Sequence, residues 1–358
     1  MAFATGGNFP PARDDPGTVM MNADRYTLVN GALRAVLTNL GARLLELHVP
    51  DRDGALADIV LGRPDLETSA SDETYMGSTA GRYANRIRGG RLSVDGRDYA
   101  LTLNEGENHL HGGVHGFDKR LWRAEHVDEH TVRFHLESPD GDQGYPGALA
   151  ASVTYALGPD ALSIDFAATT DAPTVVNLVH HSYFNLGGHD SGTVLDHVLR
   201  IDASAYLPVD DDLLPTGEVR PVDATPFDFR TPKPIGRDLG QVRQAGAGRT
   251  TADRGNYDHN WVLDGTGTRE VVVLTDPASG RRLTLSSDQP GVQVYSGGYL
   301  AGVTGKAPVE RYPAYAGVTL ETQLFPDSPH HPHFPSAEVR PGDRYTHHMR
   351  LAFDTVGR

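Results

Sequence analysis

Short apolar alternations separated by turn residues run through most of the chain. In "RLSVDGRDYALTL" (Arg91 to Leu103) two alternating segments flank Asp95-Gly96, the strongest short-range signal for a two-residue hairpin. "ASVTYALGPDALSIDFAAT" carries Val153, Tyr155 and Leu157 at period two, turns at Gly158-Pro159-Asp160, and resumes with Leu162, Ile164 and Phe166. "EVVVLTDPASGRRLTLSS" repeats that layout around Asp276-Pro277-Ala278-Ser279-Gly280. Helical periodicity is scarce, and its best short instance, "IGRDLGQVRQAG" (Ile235 to Gly246), is weakened by its own glycine. The pattern predicts an all-β protein of short strands joined by hairpins, with few short helices.

Residues 1–20 are small, polar and proline-bearing, and are expected to form a flexible leader. No repeat period, heptad or long linker divides the rest, so residues 21–358 are read as one domain, with Ala245 to Asn256 ("AGAGRTTADRGN") as a loop insertion. The 358 residues include 40 glycines and 24 prolines, about 18 % against the roughly 12 % of ordinary usage, as a turn-rich β protein requires. A formal charge of -15 repels phosphate backbones and argues against nucleic acid as a partner. No apolar run approaches the ~20 residues of a membrane span, and Met1 to Gly17 lacks the features of a signal peptide, so a cytoplasmic protein is expected. With no cysteine in the chain, thiolate nucleophiles, thiolate metal sites and disulfides are excluded.

Several stretches carry candidate chemistry. "VVNLVHHSYFNLGG" (Val175 to Gly188) sets His180 beside His181 in what reads as a buried strand; adjacent side chains point to opposite faces, so only one of them can line a given pocket of a regular strand. In "AGVTLETQ", Val318 and Leu320 share one face and Thr319 and Glu321 the other, which is either an exposed polar face or a desolvated cleft. Asp258 in "GNYDHNW" alternates with aromatic rings, as suits a polyol whose C–H faces stack and whose hydroxyls need acceptors, although a turn would also explain it. In "HLHGGVHGFDKRLW", His109 and His111 would share a face if extended, but no glutamate follows to complete a metal set. The glycines after His111 suggest close backbone approach to a ligand. "AGRYANRIRGG" offers Arg82, Arg86 and Arg88 with Asn85, as a ligand clamp or as ordinary ion pairs.

Taken in order, "GRYANRI", "LHGGVHGFDKRLW", "DGDQGYPG", "VNLVHHSYFNLGG", "YLPVDDDLLPTGE", "NYDHNW", "QPGVQVYSG" and "LETQ" resemble the aldose 1-epimerase (galactose mutarotase) family from about Tyr26 to Phe353. The resemblance implies a large antiparallel β-sandwich with a sugar cleft, and interconversion of the α and β anomers of free hexoses such as galactose and glucose without a cofactor or metal. It assigns the general acid to His181 and the general base to Glu321. Sugar positioning falls to Asn85, Arg86, His111, Tyr183, Asp258 and Gln293. Relatives often carry an amide at the position of His180. The partner implied is a small-molecule monosaccharide substrate; no nucleic acid and no membrane are expected as partners, and the chain is expected to be a monomer or weak homodimer. Other readings stay open: a relative acting on other aldoses or on sugar phosphates, a glycosidase using Asp258 and Glu321, and a non-catalytic sugar-binding module keeping Trp261, Tyr183 and Arg86.

Overall fold

The computed structural model describes residues 23–71, 73–242 and 255–357. The expected leader over residues 1–20, and all of the 245–256 segment except Gly255 and Asn256, lie outside the described residues. Strands begin at Arg25–Asn30, which pairs with Leu33–Thr38 and, through it, with Arg43–Pro50 and Leu56–Asp58 in a four-stranded antiparallel sheet.

Two larger antiparallel sheets carry most of the core. A nine-stranded sheet runs in the order Arg123–Asp128, Thr131–Ser138, Leu149–Leu157, Ala161–Thr170, Tyr345–Thr355, Arg281–Ser287, Arg269–Thr275, Val198–Ile201, Lys233–Pro234. A six-stranded sheet runs Tyr183–Phe184, Val318–Gln323, Gly291–Tyr295, Asp258–Leu263, Ala203–Leu207, Arg220–Pro221. One continuous cluster of buried apolar side chains joins them, with Ile164, Leu285 and Leu351 from the first and Trp261, Val292, Val294, Val318 and Leu320 from the second. The fold is thus an all-β sandwich. Burial of this apolar area is its main source of stability.

The hairpins follow the turn chemistry of the sequence. Val94 pairs with Arg97, and Asp95 and Gly96 between them both have positive φ (51° and 72°), as a type I′ turn requires. Ala161–Thr170 and Arg281–Ser287 likewise follow the strands before them across the predicted turns. The weak helical candidate from Ile235 onward is not a continuous α-helix over its described residues. Two single 3₁₀ turns, Ile235–Arg237 and Leu239–Gln241, stand there instead, broken at Asp238 (φ -114°, ψ 8°), and residues 243–246 are not described. Gly236 and Gly240 lower helix propensity across the break. The only α-helix among the described residues is Leu66–Ala70, whose Thr68 N–H is capped by the Asp65 carboxylate.

Candidate active site

The floor of the site is the six-stranded sheet. Glu321 lies directly across from Gln293, which lies across from Asn260, while Tyr295 pairs with Asp258 on the far side. Alternation along Val318–Gln323 sends Val318 and Leu320 into the core and leaves Thr319 and Glu321 on the other face. That face is not exposed: Glu321 is 2 % accessible. The Thr319 hydroxyl donates to Glu321 Oε1 at 2.7 Å, and Gln293 Nε2 donates to Asp258 Oδ1 at 2.7 Å. Tyr257, His259 and Trp261 point the opposite way, into a cluster with Phe227 and Phe229. The stacking role expected of the rings flanking Asp258 therefore does not hold, because strand alternation separates them from its carboxylate.

The wall above the floor comes from the paired histidines. The strand is not continuous there: Val179–His180 pairs with Thr79–Ala80, Tyr183–Phe184 pairs with Val318–Thr319, and His181-Ser182 bridges the two. The bridge is pinned by His181 N–H to Ser78 O and Gly77 N–H to His181 O, both 2.9 Å. Alternation survives the break. His181 and Tyr183 line the cleft with ring centroids 5.3 Å apart, whereas His180 and Ser182 turn away and join side chains at 2.7 Å. His180 also meets the Tyr155 hydroxyl at 3.3 Å and is fully buried, which lowers its pKa to about 3. His181 Nε2 stands 3.5 Å from Glu321 Oε1.

A third side is built by a reciprocal clasp. Asn85 N–H donates to His111 Nδ1 at 3.2 Å and His111 N–H donates to Asn85 O at 3.1 Å, with both residues at positive φ (64° and 51°). Arg86, next in the chain, gives two parallel hydrogen bonds to Glu105, at 2.7 and 2.8 Å. The glycine after His111 serves the protein rather than a ligand: a Cβ on Gly112 would sit 1.7 Å from Gly81 O. His109 and His111 do not share a face, because the chain turns at His111, and His109 is spent on Tyr145 and Thr102. Arg82 caps the carbonyls of Pro146, Gly147, Ser138 and Pro139, and Arg88 pairs with Asp210 near the surface. Of the three arginines only Arg86 reaches the cleft.

All eight residues singled out from the sequence, Asn85, Arg86, His111, His181, Tyr183, Asp258, Gln293 and Glu321, line one cleft of about 110 Å³. Its other walls were not anticipated. Tyr75, at φ 58°, packs on His111 and His181 with centroids 4.5 and 5.8 Å away, and Tyr295 and Tyr299 stack at 5.8 Å. No local motif marks Tyr75 or Glu105; only long-range folding brings them in. Burial pushes the Glu321 carboxyl up to about 8, against the Thr319 hydrogen bond and the Arg86 charge, which favour ionisation, while Asp258 adds to the rise. A larger groove of about 670 Å³ crosses the nine-stranded sheet, but two of its histidines are paired with carboxylates, His348 with Asp165 and His135 with Glu125.

His111, His181 and Glu321 bring ligand-type atoms within 4.8 Å of one another. The set fits a cation poorly. Nδ1 of His111 accepts a backbone N–H, which leaves the proton of the neutral ring on Nε2, so neither nitrogen offers a spare lone pair.

A buried carboxylate facing an imidazole, surrounded by amide, guanidinium and phenol groups, suits proton movement on a polyhydroxylated substrate, and comparison with known proteins agrees. The chain belongs to the aldose 1-epimerase family, whose profile matches residues 24–352. Galactose mutarotase from Homo sapiens is 40 % identical over 357 residues, which is 99 % of this chain and 100 % of that protein. Aldose 1-epimerase from Haemophilus influenzae is 39 % identical over 309 residues, covering 86 % of this chain and 88 % of that one. Among solved structures, an aldose epimerase homologue from C. elegans superimposes with a TM-score of 0.84 at 32 % identity, covering 94 % of this chain and 100 % of its own. Galactose 1-epimerase from Lactobacillus acidophilus gives a TM-score of 0.78 at 28 % identity over 94 % and 99 % of the two chains.

Proposed function

We propose that the chain interconverts the α and β anomers of free aldohexoses such as galactose and glucose, using its own side chains and neither metal nor organic cofactor. The observation that carries this reading is the 3.5 Å approach of His181 Nε2 to Glu321 Oε1 inside one buried polar cleft. The ring oxygen and the anomeric hydroxyl are both bonded to C1. An acid serving one and a base serving the other must therefore converge within a few ångströms.

In the proposed mechanism Glu321 removes the proton of the C1 hydroxyl as the C1–O5 bond breaks and His181 delivers a proton to O5. The product is the open-chain aldehyde. Rotation about C1–C2 presents the other aldehyde face to the O5 hydroxyl. As O5 adds back, its proton returns to His181 and the proton on Glu321 passes to O1, so both groups finish as they began. Asn85, Arg86, His111, Tyr183, Asp258 and Gln293 hold the remaining hydroxyls while C1 turns.

The charge of the cleft favours neutral sugars over sugar phosphates. The Nε–Nη2 edge of Arg86 is paired with the Glu105 carboxylate, and the acidic side chains Glu73 and Asp258 also line the cleft. A phosphate would meet more negative than positive charge. Polarimetry of freshly dissolved α-glucose and α-galactose in a weakly catalytic buffer tests the reading: rotation is expected to relax faster with the protein, before and after exhaustive chelation. Relaxation no faster than in buffer alone for both sugars would reject the proposed activity. Loss of activity on chelation, restored by one divalent metal, would reject the metal-free mechanism.

A further inference from the structure

The two oxygens of Glu321 stand in different surroundings. Oε1 accepts the Thr319 hydroxyl at 2.7 Å and lies 3.5 Å from His181 Nε2, while Oε2 is buried and has no hydrogen-bond partner among the described residues. The direction of the Thr319 bond is fixed. An ionised carboxylate can only accept, so in the form of Glu321 that acts as base the Thr319 proton is directed at Oε1, while Thr319 Oγ1 accepts the backbone N–H of Tyr295 at 3.2 Å. Thr319 and Glu321 share the cleft-side face of Val318–Gln323, but Thr319 is fully buried beneath the lining and does not itself line the cleft.

From this geometry we propose that Thr319 is a positioning residue of the acid-base pair: its hydroxyl fixes Oε1 of Glu321 and so assigns the proton transfer at the anomeric hydroxyl to Oε2. The inference rests on Glu321 being the base, as set out above. A hydroxyl donated to a carboxylate favours its ionised form, and burial is what opposes ionisation here. The charged and titratable groups facing Glu321 are His181 beside it, Asp258 across the sheet, and Arg86 and His111 from the clasp. On the opposite face of its strand, His347 is bonded to Thr322 at 2.8 Å and held neutral by burial. Thr319 is therefore the uncharged group that helps set the pH at which the base becomes available.

The test is the pH dependence of kcat/KM for α-galactose in three variants. Thr319→Val keeps the shape and removes the donor; it is expected to move the acid limb up by about one to two pH units, the worth of one hydrogen bond to a charged group, with KM nearly unchanged. Thr319→Ser restores the donor and is expected to return the limb to its original position. Glu321→Gln should lower turnover by roughly 10²–10⁴-fold at every pH. An unmoved limb in Thr319→Val, or a limb in Thr319→Ser displaced as far as in the valine variant, overturns the proposal. Full turnover in Glu321→Gln would instead overturn the assignment of the base. Should the valine variant fail to fold, Thr319→Cys, a weak donor of similar volume, takes its place, with a smaller shift in the same direction expected and no shift counting against the proposal.

Discussion

His180 and His181 are chemically identical and one peptide apart, yet only His181 lines the cleft; His180 is tied to Ser182 and Tyr155. His181→Asn is therefore expected to lower turnover by roughly 10²–10⁴-fold, since an amide can bond to the ring oxygen but cannot deliver a proton. His180→Asn should keep turnover within a few-fold of the parent. Side-by-side polarimetry with α-galactose decides, and the reverse ranking would withdraw His181 as the acid. Glu321→Gln should lose turnover to a similar extent and also change stability in a pH-dependent way. The folded-state pKa of Glu321 is raised to about 8 by burial, so its favourable contribution is complete below the ordinary carboxylate pKa and is lost as pH rises through about 8. Glutamine carries no charge to bury. The melting temperature of the variant should thus gain on the parent between pH 7 and pH 9; a constant difference across that range would show that Glu321 does not titrate there.

At the scale of the strand and turn, what was legible depended on how local the cause was. The Asp95-Gly96 hairpin and the two faces of Val318–Gln323 follow from neighbouring residues alone. The break at His181-Ser182 does not, because it is imposed by partners more than one hundred residues away on either side, at Ser78 and Thr319. The Arg86–Glu105 pair and the packing of Tyr75 on His111 are likewise tertiary, and nothing in their local sequence announces them. Alternation was sufficient to separate Asp258 from Trp261, so the expected stacking role failed against a rule the sequence already contained. Glycine gives a test at this scale. Gly96 and Gly112 both have positive φ (72° and 91°), but a Cβ on Gly96 meets nothing within 4 Å, whereas one on Gly112 strikes Gly81 O beside the Asn85–His111 clasp. Gly96→Ala is expected to cost about 1–2 kcal/mol of stability and leave KM unchanged. Gly112→Ala should raise KM as well as destabilise, and an unchanged KM in the folded variant would mean that the clasp does not position sugar.

Over the whole molecule, buried neutral histidines tie the architecture together. His347, on the nine-stranded sheet, bonds Thr322 of the six-stranded sheet and Leu178 O, one residue from Glu321 along the strand. His109 bonds Tyr145 and Thr102 O, His197 accepts from Leu186 N–H, and His259 accepts from Asp258 N–H. Together with His180, each is held below its ordinary pKa by burial, to about 4 for His109, His197 and His347 and about 3 for His180 and His259. For a group depressed in the folded state, stability is fully present above the unfolded pKa near 6.5 and is lost as pH falls, because the unfolded chain takes up protons that the folded one refuses. The loss approaches about 1.4 kcal/mol per residue for each pH unit below that point. Glu321 acts in the opposite sense over the same interval, but it is one group against five. The melting temperature should therefore be clearly lower at pH 5 than at pH 7, well before most carboxylates protonate. Calorimetry at the two pH values checks this, and a melting temperature equal or higher at pH 5 would mean that these imidazoles are protonated within the fold and that their neutral hydrogen-bonded roles are wrong.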